Sequence, residues 1–166
     1  GVPPLTPSKE GGKSAGKRRG DESDHPGPGG EGKVKGLDTN ILVRYLTEDD
    51  PRQAAAAVKE IEGAGRKGEK LVVQPLVLCE LAWVLESAYG VGKKELLDVF
   101  ERILRTAQFE IPGKDLVWRS LADYRAGRGD FSDHLLGRLN EDAGASVTIT
   151  FDRALRGNPR FHVLTV

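Results

Sequence analysis

The chain is read as an α/β fold with a mostly parallel sheet covered by helices on both faces. Two observations carry this reading. Short apolar runs alternate with longer helical patterns, and strands separated by helices form β-α-β units that return parallel. Composition also changes sharply near residue 36. Residues 1–36 hold ten of the 21 glycines, five of the nine prolines and only four hydrophobic residues, Val2, Leu5, Ala15 and Val34. Such a segment cannot bury enough apolar surface to offset its ordering entropy. Residues 1–35 are therefore expected to be a disordered tail, and residues 36–166 the folded domain.

Within that domain Val34–Leu37 predicts a brief strand running into Asp38-Thr39-Asn40. A short helix, Ile41–Leu46, follows, then an alanine-rich one over Pro51–Ile61, where Pro51 suits the first turn. Gly63, Gly65 and Gly68 are expected to break the pattern before the second strand, Leu71–Val73. Pro75 opens an apolar helix to Tyr89, stopped by Gly90. Lys93–Thr106 is amphipathic, with Leu96, Leu97, Phe100, Ile103 and Leu104 on one stripe. Phe109–Ile111 reads as a strand and Lys114–Arg125 as a helix. After Gly127-Arg128-Gly129, Ser132 is placed to cap a helix reaching Ala143. Val147–Thr150 and His162–Val166 are the last strands. Trp83 and Phe131 are read as core residues.

Charge and cysteine content narrow the function. Lysine plus arginine (25) balance aspartate plus glutamate (25), so a nucleic-acid partner must be held by local basic patches. Lys17, Arg18 and Arg19 in the tail form one charge run, read as solvated. The single cysteine, Cys79, excludes an intramolecular disulfide and any multi-cysteine metal site, which fits a reducing cytoplasm. No apolar stretch approaches the ~20 residues that cross a bilayer, and the first residues lack the apolar core of a secretory signal. The expectation is a soluble, cytoplasmic protein without membrane contact. No methionine occurs, position 1 included, so the tail reads either as a cloning remnant or as upstream sequence behind a misassigned start.

In parallel sheets, ligands bind beyond the carboxyl ends of the strands. Asp38 ends the first strand, and Asp152 follows Val147–Thr150 after one residue. Each taken alone reads equally as a helix cap. Glu80 sits inside Pro75–Tyr89 among Leu76, Val77, Trp83 and Val84, which predicts an apolar surrounding. A carboxylate there needs a cation or donors, either a metal or a buried partner such as Arg44. Glu86 is expected to reach solvent. Asp130 and Asp133 stand where a helix begins and suit its positive end in any case.

Together these acids point to a metal. Converging carboxylates repel one another unless a cation joins them, and Mg²⁺ and Mn²⁺ prefer oxygen ligands. Histidine offers no alternative: His25 lies in the tail, while His134 and His162 lack partners at metal spacing. A carboxylate-bound Mg²⁺ that keeps some waters suits phosphodiester hydrolysis.

Leu37-Asp38-Thr39-Asn40-Ile41-Leu42 resembles the opening motif of PIN domains, especially VapC-type toxins. Glu80 in Leu78-Cys79-Glu80-Leu81 matches the second acid of that family. Asp130-Phe131-Ser132-Asp133 with Leu135-Leu136 resembles the third motif, and Thr148-Ile149-Thr150-Phe151-Asp152 the fourth. The resemblance covers residues 36–166 and implies a three-layer α/β/α fold around a central parallel sheet of about five strands. It implies a metal-dependent endoribonuclease using Mg²⁺ or Mn²⁺, with Asp38, Glu80, Asp133 and Asp152 as the acidic quartet and Asp130 as a further ligand. Asn40 and Thr150 match supporting polar positions, and Asn40 is expected to hydrogen-bond Asp38. A homodimer, an RNA substrate and a small antitoxin covering the pocket are implied as well. The glycine-rich tail departs from the family, whose members begin a few residues before Asp38.

RNA needs cations near such a pocket, and Arg128, Arg153 and Arg156 flank the acidic motifs in sequence. The competing reading is a non-catalytic PIN-like module, against which the intact quartet argues. A phosphoacceptor receiver would need an acidic pair after the first strand, where Thr39 follows Asp38. A haloacid-dehalogenase-like phosphatase would need an aspartate where Asn40 stands. A housekeeping nuclease, or one acting on structured DNA, shares the same metal logic.

Overall fold

Backbone hydrogen bonding in the computed structural model, which describes residues 34–166, follows the alternation read from the sequence. In order come β1 (Lys35–Gly36), α1 (Thr39–Thr47), α2 (Pro51–Lys67), β2 (Leu71–Val72), α3 (Pro75–Tyr89), α4 (Lys93–Arg105) and β3 (Phe109–Glu110). Then follow α5 (Lys114–Ala126), α6 (Phe131–Asp142), β4 (Thr148–Thr150), a 3₁₀ turn (Arg153–Leu155) and β5 (Phe161–Val163). The expectations for the tail, with Lys17, Arg18, Arg19 and His25, lie outside the described residues.

All strand pairs are parallel. Lys35 registers with Leu71 and Leu71 with Phe109, giving the order β1-β2-β3, while Thr148 of β4 registers with Phe161 of β5. The strands thus form a sheet of three and a separate pair among the described residues, a smaller central sheet than the expected five. Strands of two or three residues contribute few ladder bonds, and the helices take over the burial. Leu42, Leu46, Ile61, Leu78, Leu81, Leu85, Leu96, Phe100 and Phe131 are all essentially sealed from solvent. Each such side chain stabilises the fold by roughly 1.5–3 kcal/mol relative to exposure. Among the described residues no helix is long and apolar enough to cross a membrane.

Several boundaries differ from the sequence reading: α1 opens at Thr39 rather than Ile41, β5 is Phe161–Val163 rather than His162–Val166, and the end of α2 and the start of α6 also move. Helix α2 runs through Gly63 and Gly65 and stops only at Gly68, whose φ is +67°. Asp50 starts it firmly, accepting from the amides of Arg52 and Gln53 at 3.0 Å each. Gly65 is useful inside the helix: a Cβ there would lie 3.2 Å from the Gln108 side chain, which donates to the Ile61 carbonyl. Helix α6 begins at Phe131 with Asp130 as N-cap, not at Ser132, and Asp133 Oδ2 accepts from the Asp130 amide at 2.9 Å. Burial of Phe131 against Phe100 and Tyr124, edge to face at 4.7 and 6.2 Å, draws it into the first turn.

Gly129, just before this cap, has φ +90°, and a Cβ would stand 2.6 Å from Leu155 Cδ2. Gly129→Ala is therefore expected to lower stability by about 2–4 kcal/mol, from the left-handed backbone and the overpacked Leu155 together. A urea titration measures it; a loss inside about ±0.5 kcal/mol, the range of an ordinary surface substitution, would show that the loop relaxes freely.

Candidate metal centre

The strand ends present the acids. The Leu37 amide donates to the Val72 carbonyl at 2.8 Å, closing β1, and the next residue, Asp38, is the exposed N-cap of α1. Thr39 turns inward, is buried, and its hydroxyl donates to Glu80 Oε2 on α3. This hydrogen bond ties the residue after Asp38 to Glu80. Thr39 is the positioning residue that sequence reading missed. Asn40 is exposed and makes no side-chain hydrogen bond to Asp38 among the described residues. One step along a helix rotates the side chain by about 100°, and that step carries Asn40 away from the face Thr39 uses.

Glu80 itself is exposed, contrary to the apolar setting expected for it. Its stripe along α3 carries Leu76, 69% exposed, and Trp83, 70% exposed, while Val77, Leu78, Leu81, Ala82 and Leu85 bury the opposite side. Trp83 is therefore a surface residue. A helix apolar on nearly all sides does not reveal by periodicity which stripe faces inward. Arg44 is not the partner of Glu80: its guanidinium holds Asp49 at 2.6 and 2.7 Å and Gln53 at 2.7 Å.

The second group of acids sits where α6 begins and β4 ends. Asp133, half-buried, has its carboxyl pushed above the ordinary aspartate value, by burial first and then by the charges of Asp130 and Asp152. Those repulsions place Asp130 and Asp152 within electrostatic reach. Asp152 Oδ1 accepts from the Ala154 amide at 2.8 Å, and Thr150 Oγ1 accepts from the Asp152 amide at 3.0 Å, so Thr150 fixes the turn carrying the acid. Helix α3, which carries Glu80, packs against α6, which carries Asp133. Burial, reinforced by the Glu80 charge, pushes the Cys79 thiol up.

Among the described residues no three His, Cys, Asp or Glu side chains stand close enough to enclose one ion. Glu80, Asp133 and Asp152 instead each hold one oxygen to the protein and leave the other without a hydrogen bond among those residues. Such a set fits Mg²⁺, which keeps several waters and needs only one or two direct carboxylates. It does not suit a closed tetrahedral zinc site.

The neighbouring groups sort simply. Burial raises the Glu86 carboxyl, which accepts from Tyr124 Oη at 3.2 Å and does not reach freely into solvent. His134 is 2% exposed, its Nε2 donates to the Arg128 carbonyl at 2.9 Å, and burial lowers its basicity. It is a structural histidine. Arg128, Arg153 and Arg156 are exposed and make no ion pair among the described residues.

Thr39→Val tests the first link. It keeps the shape and removes the donor, so Mn²⁺ affinity by calorimetry should fall about 10–100-fold, and Thr39→Ser should restore it. Equal affinity in Thr39→Val would show that Glu80 needs no positioning.

A family model described as PIN domain matches residues 36–160. The chain is also 27% identical over 123 residues to the VapC ribonuclease of Aquifex aeolicus (strain VF5), covering 74% of this chain and 90% of that one. With a match running from the end of β1 to the residue before β5, the chain belongs to the PIN-domain family.

Proposed function

We propose that this protein is a metal-dependent endoribonuclease of the VapC kind, the toxin of a toxin–antitoxin pair acting in the cytoplasm. The observation that carries the reading is that Glu80, Asp133 and Asp152 are each anchored through one carboxylate oxygen and keep the other to spare. Asp38, Glu80, Asp133 and Asp152 would hold the Mg²⁺ or Mn²⁺, one or two of them directly and the others through its waters, with Asp130 as a further, outer ligand and Asn40 and Thr150 beside them. When bound, the ion lowers the pKa of an attacking water and offsets the charge that builds on the phosphate. Thr39 holds one oxygen of Glu80, and the Thr150–Asp152 turn fixes the last acid. The exposed Leu76 and Trp83, one turn either side of Glu80, support a protein partner laid across the pocket, in this reading the antitoxin. The active unit is a homodimer.

Mapping cut RNA ends with the purified full chain tests the proposal. Cleavage should stop with a chelator and return on adding Mg²⁺ or Mn²⁺; cutting that survives chelation removes the metal. Induced expression in a bacterium should arrest growth, and co-expression of the neighbouring small open reading frame should relieve it. Harmless expression of soluble, RNA-cleaving protein removes the toxin and leaves a housekeeping nuclease.

A further inference from the structure

Beside the acids lies a cleft of about 300 Å³ between the end of α5 and the loop before β5, lined in part by Asp123, Arg128, His134, Arg156, Asn158 and Arg160. Its charges are unequal. Asp123, whose burial opposes ionisation, is nevertheless held below the ordinary aspartate value by Arg138 and Arg160. Arg138 grips it with Nε at 2.6 Å and Nη2 at 3.0 Å, and Arg160 stands at 3.4 Å while also donating to Glu141. His134 is buried and poorly basic. Arg128 and Arg156 are left exposed with no ion pair among the described residues. Three lining arginines against one aspartate leave the cleft with an excess of two positive charges.

The cleft is also braced and well placed. Lys93 Nζ donates to the Gly127 carbonyl at 2.7 Å and His134 to the Arg128 carbonyl, so the backbone that presents Arg128 is held from two sides. Arg128 lies two residues before Asp130, and Arg156 four residues after Asp152. Gly129 and Leu155 pack together between them. The two segments that carry the second group of acids therefore also form the walls of the cleft.

We infer that this cleft is a backbone subsite for single-stranded RNA, in which Arg128 and Arg156 grip a phosphate flanking the bond to be cut. The inference rests on the nuclease reading for its place along the substrate. Guanidinium groups suit phosphate because their donors match two oxygens at once. A volume at the low end of small-molecule sites holds a short stretch of one strand, not a duplex. Arg153 does not line the cleft and is not part of this subsite.

The experiment measures binding of a short labelled single-stranded RNA by fluorescence anisotropy, without divalent metal, over a range of salt. The full chain carrying Asp38→Asn is the parent. Adding Arg128→Gln and Arg156→Gln should weaken binding on the order of tenfold and make the dependence of log K on log salt shallower, by roughly 0.7 in slope for every phosphate the arginines no longer neutralise. Arg128→Lys with Arg156→Lys should keep much of the salt slope. Arg102→Gln, about 14 Å along α4 from Lys93, should bind like the parent. Circular dichroism confirms that each variant is folded. Parent-like affinity in the double glutamine variant, or an equal loss in Arg102→Gln, overturns the subsite. Cleavage by wild-type protein with parent-like affinity in the double variant sinks the cleft and leaves the nuclease. Arginine-dependent binding without any cleavage does the reverse.

Discussion

Asp38→Asn and Glu80→Gln proteins should lose RNA cleavage by about 10²–10⁴-fold while keeping the fold of the wild type. The size follows from the metal: Lewis-acid stabilisation is worth several kcal/mol, and each ~1.36 kcal/mol is tenfold in rate. The fold should survive because both positions are exposed. Asparagine serves as a helix N-cap as well as aspartate does, so α1 keeps its start. The acids also repel: part of the rise in the Asp133 carboxyl, after burial, comes from Asp130 and Asp152. Substituting exposed Asp38 or Glu80 in the metal-free protein should move stability by no more than an ordinary surface change, about ±0.5 kcal/mol. Metal separates the proteins. Wild-type protein should gain stability on adding Mg²⁺, by about 2.7 kcal/mol at one hundred times Kd, and the variants should gain far less. Undiminished, metal-specific cleavage in either variant would remove these residues from the reaction.

Phe131→Ala should cost about 3–5 kcal/mol, a large share of the roughly 5–15 kcal/mol that holds a domain of this size together. Phe131 is 0% exposed, and its ring meets Phe100 and Tyr124 edge to face. Such pairs add about 0.5–1.5 kcal/mol each beyond the area they bury. The position also concerns the site, because Phe131 stands between Asp130 and Asp133 and anchors the first turn of α6. Metal affinity should therefore fall along with the denaturation midpoint. Phe131→Leu, which refills most of the volume, should recover part of both. A loss below about 1 kcal/mol would mean that the pocket collapses around the missing ring.

Local chemistry was legible wherever one residue type has one strong reason to stand. Pro75 and Gly90 bracket α3 as read, and the stripe of α4 faces the core with Leu96, Phe100 and Ile103. The order of strands and helices, and with it the parallel pairing, follows from the alternation of apolar runs. What failed locally failed because tertiary packing outweighed propensity. Gly63 and Gly65 lie inside α2, at about 1 kcal/mol each relative to alanine, since Gly65 leaves room for Gln108. Phe131, not Ser132, opens α6 because its ring is buried.

From the sequence alone come the class of the fold, the order of its elements and the four acidic motifs, three at strand or helix ends and Glu80 inside α3. Spacing and residue type act over a few residues, so they leave a mark that can be read along the chain. Only the folded chain decides that Glu80 faces outward beside Trp83, that the Thr39 hydroxyl holds it, and that Arg128 and Arg156 share a cleft while Arg153 does not. These outcomes depend on which stripe of an almost uniformly apolar helix is covered and on how two distant loops meet. Both are set by packing between segments far apart in sequence, where no local pattern records them.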